Sequence, residues 1–221
     1  HDFMFAKMDY PIADPSFRAS VEREADQFLT RVQGHPSLAV LCGGSEIAQQ
    51  AAMLGLPPSL WNSPLFDELL RGIAKVRCPD VVYVAQSPVG GDLPFQVDAG
   101  VSHYYGVGAY RRPLEDVRRA GVRFAAECLA FANAPAATTP AGTSDRVPRD
   151  RGADWDFSTV RDHYLGQLYG VDTAKLQAED PSHYLRLSRA LSADLMEAVI
   201  AEWRRPGSSC AGALVWMLKD L

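Results

Sequence analysis

The sequence lacks a long hydrophobic run and an excess of positive charge, and each absence excludes a class of protein. Its apolar stretches extend over only a few residues, whereas a membrane-spanning helix needs about 20. With 22 Lys and Arg against 27 Asp and Glu, the formal net charge is -5, which argues against binding to nucleic acid or to an anionic membrane. The first residues show no basic start followed by an apolar core, so no signal peptide is predicted.

Cysteine is also scarce and widely spaced. The four cysteines form no CxxC pair and have no matching histidine spacing: Cys42, Cys78, Cys128 and Cys210. This pattern argues against a zinc site and against a disulfide framework, and it favours small buried thiols. We therefore expect no metal and a reducing compartment, which makes the cytoplasm the predicted location.

What the sequence does contain is an alternation of short apolar runs with amphipathic segments. Five mostly apolar runs have the length of strands: 38–42, 81–87, 101–106, 122–128 and 212–218. Apolar residues spaced by three and four predict helices over 16–33 with Ser16 as N-cap, 64–76, 113–120, 157–169, 173–178 and 182–204. Residues 132–154 lack periodicity and predict a long loop. The alternation predicts an α/β fold with parallel βα units, its sheet covered by helices.

Polar and aromatic side chains recur at the ends of the apolar runs. In a parallel α/β barrel, catalytic groups come from the C-terminal ends of different strands, so these side chains could converge on one mouth. Tyr104 and Tyr105 alternate along a strand, so at most one of them should face that mouth. The residues concerned are Glu46, His103, Tyr104, Tyr105, Glu127 and Trp216.

Two carboxyl groups at such a mouth suit the hydrolysis of a glycosidic bond. One must be protonated to donate to the leaving oxygen, and the other must be ionised to attack the sugar, with a separation of about 5–5.5 Å in a retaining mechanism. The residues alone leave plainer alternatives open. Glu46 could be a solvated loop acid, Glu127 a member of a buried ion pair, and His103 and Trp216 core residues.

The same segments, in the same order, resemble the β-mannosidase branch of glycoside hydrolase family 2. HPSLAVLCGGSE (35–46) is similar to that branch's HPSLALWCGNNE-type segment. VSHYYG and RFAAECLAFANAP look like its HYY strand and its nucleophile strand. DFMFAKMDYP resembles the segment after the third barrel strand, and GALVWMLKDL resembles the final strand. The likeness is weakest over 136–181.

The resemblance implies a (β/α)8 TIM barrel, with residues 1–221 forming a partial catalytic domain of about strands four to eight. It implies Glu46 as general acid/base and Glu127 as nucleophile. The family usually has asparagine, which contacts the sugar 2-hydroxyl, where this chain has Ser45. The rest of the barrel and the β-sandwich domains would lie elsewhere in the full-length polypeptide. The substrate contacts implied are Ser45, His103, Tyr104, Tyr105 and Trp216.

The activity implied is retaining hydrolysis of terminal β-glycosides, with a β-mannoside favoured over a β-galactoside or β-glucuronide. The expected partner is a carbohydrate substrate, and the chemistry needs no metal or organic cofactor. Two alternatives stay open. Ser45 motivates a degenerate carbohydrate-binding or scaffold barrel, and the missing strands motivate a segment that is inactive without its N-terminal half.

Overall fold

The structure is a computed structural model that describes residues 1–131, 134 and 156–216. The chain forms two compact units, His1–Ser102 and His103–Leu221. The loop predicted over 132–154 lies, apart from Ala134, outside the described residues, as does the end of the last predicted strand. Among the helices of the described ranges, none is both long and apolar enough to cross a membrane.

The first unit is built from helices around a short parallel strand pair. β1 (Val40–Cys42) lies parallel to β2 (Val82–Val84), with Val40 opposite Val82 and Cys42 opposite Val84, as the βα alternation predicts. Asp2 adds a parallel bridge to Cys42 on the other side of β1. The elements are α1 (Pro15–Val32), β1 (Val40–Cys42), α2 (Ile47–Met53), a 3-10 turn (Pro58–Leu60), a π-helical segment (Leu65–Leu70), α3 (Arg71–Arg77) and β2 (Val82–Val84).

The start of α1 differs from the prediction. Ser16 was expected as N-cap, but Asp14 holds that position and its carboxylate accepts a hydrogen bond of 2.8 Å from the Ser16 N–H. Pro15 opens the helix, where a missing N–H costs nothing because the first turn has no intrahelical acceptors for its donors. Aspartate followed by proline is therefore the helix start signal.

The core of the first unit forms between one face of α1, the π-helical segment and β1. Burial of each large apolar side chain here contributes about 1.5–3 kcal/mol. Phe5, Tyr10 and Phe17 pack against the edge of this core. The buried side chains include Val21, Ala25, Leu29, Leu41, Leu65, Phe66 and Leu70.

The second unit places three helices after its strands. A hydrogen bond of 3.1 Å from the Leu129 N–H to the Tyr104 carbonyl links the C-terminal ends of β3 (Ser102–Tyr104) and β4 (Ala125–Cys128). Helix α7 (Pro181–Arg204) buries one stripe of residues four apart, Leu191, Leu195 and Val199. The elements are β3 (Ser102–Tyr104), which begins at the last residue of the first unit, α4 (Asp116–Arg119), β4 (Ala125–Cys128), α5 (Phe157–Tyr169), α6 (Thr173–Glu179) and α7 (Pro181–Arg204).

The last predicted strand, 212–218, is not a continuous strand in its described part. Two parallel bridges remain, Ala125 to Ala213 and Leu129 to Trp216. The bridged residues are four apart from the start of β4 to the residue after it but three apart along the last segment, so the register slips by one residue and interrupts the ladder. The described ranges contain four strands in all, so the closed eight-stranded barrel stays a prediction.

Candidate active site

In the first unit, β1 runs into Gly43 and Gly44, where neighbouring atoms leave no room for a side chain. A Cβ at Gly43 would lie 2.4 Å from the Tyr83 Oη and 2.5 Å from the Ala85 carbonyl oxygen. A Cβ at Gly44 would lie 2.7 Å from the Ile47 Cδ1. Real Cβ atoms essentially never come closer than 3.0 Å to such neighbours. The two glycines therefore allow the end of β1 to pack closely against β2 and α2.

Glu46 follows in a left-handed backbone conformation, with φ 59° and ψ 8°. Hydrogen bonds on both sides impose this geometry. The Ser45 N–H donates to the Phe5 carbonyl (2.8 Å), and the Glu46 N–H donates to the Ser87 carbonyl (2.6 Å). A non-glycine residue in this region costs on the order of 1–3 kcal/mol, and such residues cluster at functional sites. The backbone thus marks Glu46 independently of its carboxyl group.

The side chain of Glu46 does not cap α2, although the residue stands at the N-cap position. That role falls to Gln86, whose Oε1 accepts a hydrogen bond of 2.7 Å from the Ala48 N–H. The Glu46 carboxyl instead accepts a hydrogen bond of 2.9 Å at Oε1 from the Gln49 Nε2. Sequence reasoning missed Gln49, because the short helix that places it one turn after Glu46 was not predicted.

In the second unit, Glu127 lies on β4 and is contacted by His103, on β3, and by Tyr105, which directly follows β3. The Tyr105 Oη donates a hydrogen bond of 2.7 Å to the Glu127 Oε2. The His103 Nδ1 lies 3.4 Å from the same oxygen. The Glu127 side chain is 22% exposed and the His103 side chain 1% exposed. This arrangement presents a partly accessible carboxyl group with a fixed hydrogen-bond donor.

Tyr104 faces away from this cluster. Its Oη donates to the Asp116 Oδ2 (2.9 Å) and accepts from the Val107 N–H (3.2 Å). Its ring meets Trp203 edge-on at 5.6 Å. Burial, reinforced by the hydrogen bond to Asp116, raises the pKa of the Tyr104 hydroxyl well above its usual range. Of the two neighbouring tyrosines, Tyr105 therefore contacts Glu127, whereas Tyr104 packs in the interior.

Trp216 stands beside Tyr105. The two rings meet edge-on with centroids 6.3 Å apart, and the Phe157 ring also meets the indole edge-on, at 5.6 Å. The residue is 39% exposed, so part of the indole surface faces solvent. A partly exposed aromatic ring that packs against Tyr105, the hydrogen-bond donor to Glu127, suits the apolar face of a sugar.

The chain immediately after Glu127 is also conformationally unusual. Leu129 (φ 80°) and Ala130 (φ 54°) are both buried and left-handed. Gly108 makes this path possible, because a Cβ there would lie 1.7 Å from the Leu129 carbonyl oxygen. The structure thus groups His103, Tyr105, Glu127 and Trp216 in the second unit, and leaves Tyr104 outside that group.

Comparison with known proteins identifies the relatives. No protein-family model matches the sequence. Over 99% of its length the chain is 25% identical to Beta-mannosidase B of Thermothelomyces thermophilus and 27% identical to Beta-mannosidase B of Aspergillus niger. The solved β-D-mannosidase from Dictyoglomus thermophilum matches 98% of the chain with a TM-score of 0.76 and 22% identity. The chain is similar to β-mannosidases.

This finding confirms the resemblance that the strand-end motifs indicate. The chain spans 28% of the length of the curated β-mannosidases and 27% of the solved one. Its fold is therefore that of part of a β-mannosidase, which agrees with the prediction of a partial domain.

Proposed function

We propose that the polypeptide containing this chain is a retaining β-mannosidase-like glycosidase, and that residues 1–221 belong to its catalytic barrel. Glu127 is the nucleophile and Glu46 the general acid/base. The observation that carries the proposal is the 2.7 Å hydrogen bond from the Tyr105 Oη to the Glu127 Oε2, in a chain that is similar to β-mannosidases along 99% of its length.

The surroundings of Glu127 support a nucleophilic role. The hydrogen bond from the Tyr105 hydroxyl fixes the orientation of the Glu127 carboxyl group. The ionised oxygen attacks the anomeric carbon, and a covalent glycosyl ester forms as the bond to the leaving oxygen breaks. His103, close to the same Glu127 oxygen, restricts the carboxylate further.

Glu46 supplies the proton in this scheme. Its protonated carboxyl donates to the leaving oxygen in the first step and then, as a carboxylate, accepts a proton from the water that hydrolyses the ester. Ser45 and the exposed face of Trp216 are the proposed substrate contacts. Ser45 offers one hydroxyl, which can both donate and accept. The preferred substrate is a terminal β-mannoside, and no cofactor takes part in these steps.

A mechanism-based label tests the proposal. The complete polypeptide is incubated with a 2-deoxy-2-fluoro-β-mannosyl fluoride, and peptides are analysed by mass spectrometry. The expected result is one fluoromannosyl adduct on the peptide that contains Glu127, absent in the Glu127→Gln variant. The matched control is Glu197→Gln, which removes an exposed carboxylate from α7 and should label like the wild type.

Two outcomes would overturn the proposal. An adduct on another carboxylate in an active enzyme would contradict the assignment of Glu127. Binding of mannosides without adduct or turnover would instead support a carbohydrate-binding barrel, the alternative that Ser45 motivates.

A further inference from the structure

The first turn of α2 carries a side chain that contacts the proposed acid/base. Gln49 lies three residues after Glu46, so both side chains share one face of the helix start. The Gln49 Nε2 donates to the Glu46 Oε1 over 2.9 Å, in a partly buried setting. Partial burial lowers the local dielectric, which strengthens such a hydrogen bond relative to one in water.

The helix start does not depend on this pair. The N–H of Ala48 is satisfied by the Gln86 Oε1, and the Gln86 Nε2 donates to the Trp61 carbonyl over 2.8 Å. Gln86 is buried; its bond to Ala48 ties the start of α2 to the chain just after β2, and its bond to Trp61 holds the amide in place. Because Gln86 performs the capping, the contact between Gln49 and Glu46 is not needed to begin the helix.

We propose that Gln49 is a positioning residue that orients the Glu46 carboxyl for proton transfer, an inference that rests on the proposed function. An amide neither gains nor loses a proton at working pH, so Gln49 cannot replace the acid. It holds Oε1 and thereby sets the plane of the carboxyl group. Proton donation in the transition state depends on such alignment.

The chemistry gives this role a signature. A sugar or alkyl leaving group must be protonated as its bond to the anomeric carbon breaks, so its departure depends on the orientation of the Glu46 carboxyl group. A 2,4-dinitrophenolate leaves as a stable anion and needs no proton. Loss of Gln49 should therefore slow cleavage of the glycosidic bond when the leaving group is a sugar or an alcohol, and should leave it unchanged when the leaving group is dinitrophenolate. A general structural defect would slow cleavage in both cases.

The test compares Gln49→Leu with the wild type in the complete polypeptide, using β-mannobiose and 2,4-dinitrophenyl β-mannoside. We expect kcat/KM on mannobiose to fall about 10- to 100-fold, because a misaligned acid loses part of the roughly 10²- to 10⁴-fold that general acid catalysis contributes. The value of kcat/KM on the dinitrophenyl substrate, which reports only the first step, should change by no more than about 3-fold, since departure of dinitrophenolate needs no general acid. Gln50→Leu, the same substitution one residue further around α2, is the matched control and should show no such difference between substrates.

A second variant, Gln49→Met, removes the donor with less change in shape and should behave in the same way. An equal loss on both substrates in both variants, or no loss on either, would overturn the positioning role. A wild-type polypeptide that hydrolyses neither substrate would overturn the proposed function itself, which is a different result.

Discussion

At the residue scale, Tyr104 and Tyr105 show how neighbouring identical side chains come to differ. Strand alternation sends them to opposite faces, so one hydroxyl reaches Asp116 and the other reaches Glu127. The alternation was predictable from sequence. Which tyrosine faces the carboxylate was not, because that depends on how β3 meets β4 through the Leu129 N–H and the Tyr104 carbonyl.

The pair supplies a matched experiment. Tyr105→Phe removes the donor to the proposed nucleophile, and we expect kcat to fall about 10- to 100-fold, as for a lost hydrogen bond to a charged group. Tyr104→Phe removes a bond to Asp116 in the interior and should lower the free energy of unfolding by about 1–3 kcal/mol with little effect on kcat. Steady-state kinetics and urea unfolding measure the two effects. The reverse assignment of effects would contradict the roles given to the two hydroxyls.

Gln49 illustrates a residue that sequence reasoning could not find. Its partner, Glu46, was predicted from the strand end, but α2 has only seven residues and no clear apolar period. Short helices owe their formation to tertiary contacts more than to local propensity. Here the contact is Gln86, 38 residues away along the chain.

At the scale of elements, an ion pair joins the short helix α4 to the long helix α7. The Arg118 guanidinium makes hydrogen bonds of 2.8 and 2.7 Å to the two Glu202 carboxylate oxygens, and Arg205 contacts one of the same oxygens. Hydrogen bonds from Arg118 and then from Arg205 lower the pKa of Glu202 to about 2. The connection thus depends on the ionised form of one carboxyl group.

The lowered pKa predicts a pH dependence. Because the folded pKa lies below the unfolded one, the stabilisation is fully present above about pH 4.5 and is lost as the pH falls toward about 2. Glu202→Gln should therefore reduce the free energy of unfolding at pH 7, and the difference from the wild type should shrink below pH 4.5. Urea unfolding across this range measures it. Glu22→Gln, in the exposed pair with Arg18, is the control and should have little effect at any pH. A difference for Glu202→Gln that stays constant down to pH 2 would contradict the prediction.

The elements differ in how far the sequence predicts them. Helices α5 and α7 match their predicted ranges within one residue, since long amphipathic repeats dominate local alternatives. The predicted helix over 64–76 is present, but its first half is π-helical. The interrupted final strand followed from a one-residue slip in pairing, which apolar composition does not encode.

At the scale of the whole molecule, large apolar side chains are strongly exposed in the first unit. Met4 is 96% exposed, Val76 76% and Leu54 68%. Scattered exposed apolar residues are ordinary, but here they occur in a chain that spans 28% of the length of its relatives. In the proposed full-length enzyme, other parts of the polypeptide would cover such residues.

This predicts the behaviour of the isolated chain. Residues 1–221 expressed alone should bind a hydrophobic dye and self-associate with rising concentration, because exposed apolar side chains favour association. The complete polypeptide should bind much less dye per chain. Light scattering and dye fluorescence provide the measurements. An isolated chain that stays monomeric, melts cooperatively and binds no dye would contradict this prediction.

Because the backbone at Glu46 is left-handed, selection for folding and selection for hydrolysis favour different amino acids at this position. Glycine and asparagine adopt this conformation at the lowest cost, and neither carries a carboxyl group. A library of variants selected only for folding would drift toward those two residues at position 46. A library selected for the proposed hydrolysis, with Glu46 as the proposed acid/base, would retain glutamate despite the cost of its left-handed backbone. The amino acid recovered at this position would therefore reveal which selection had acted.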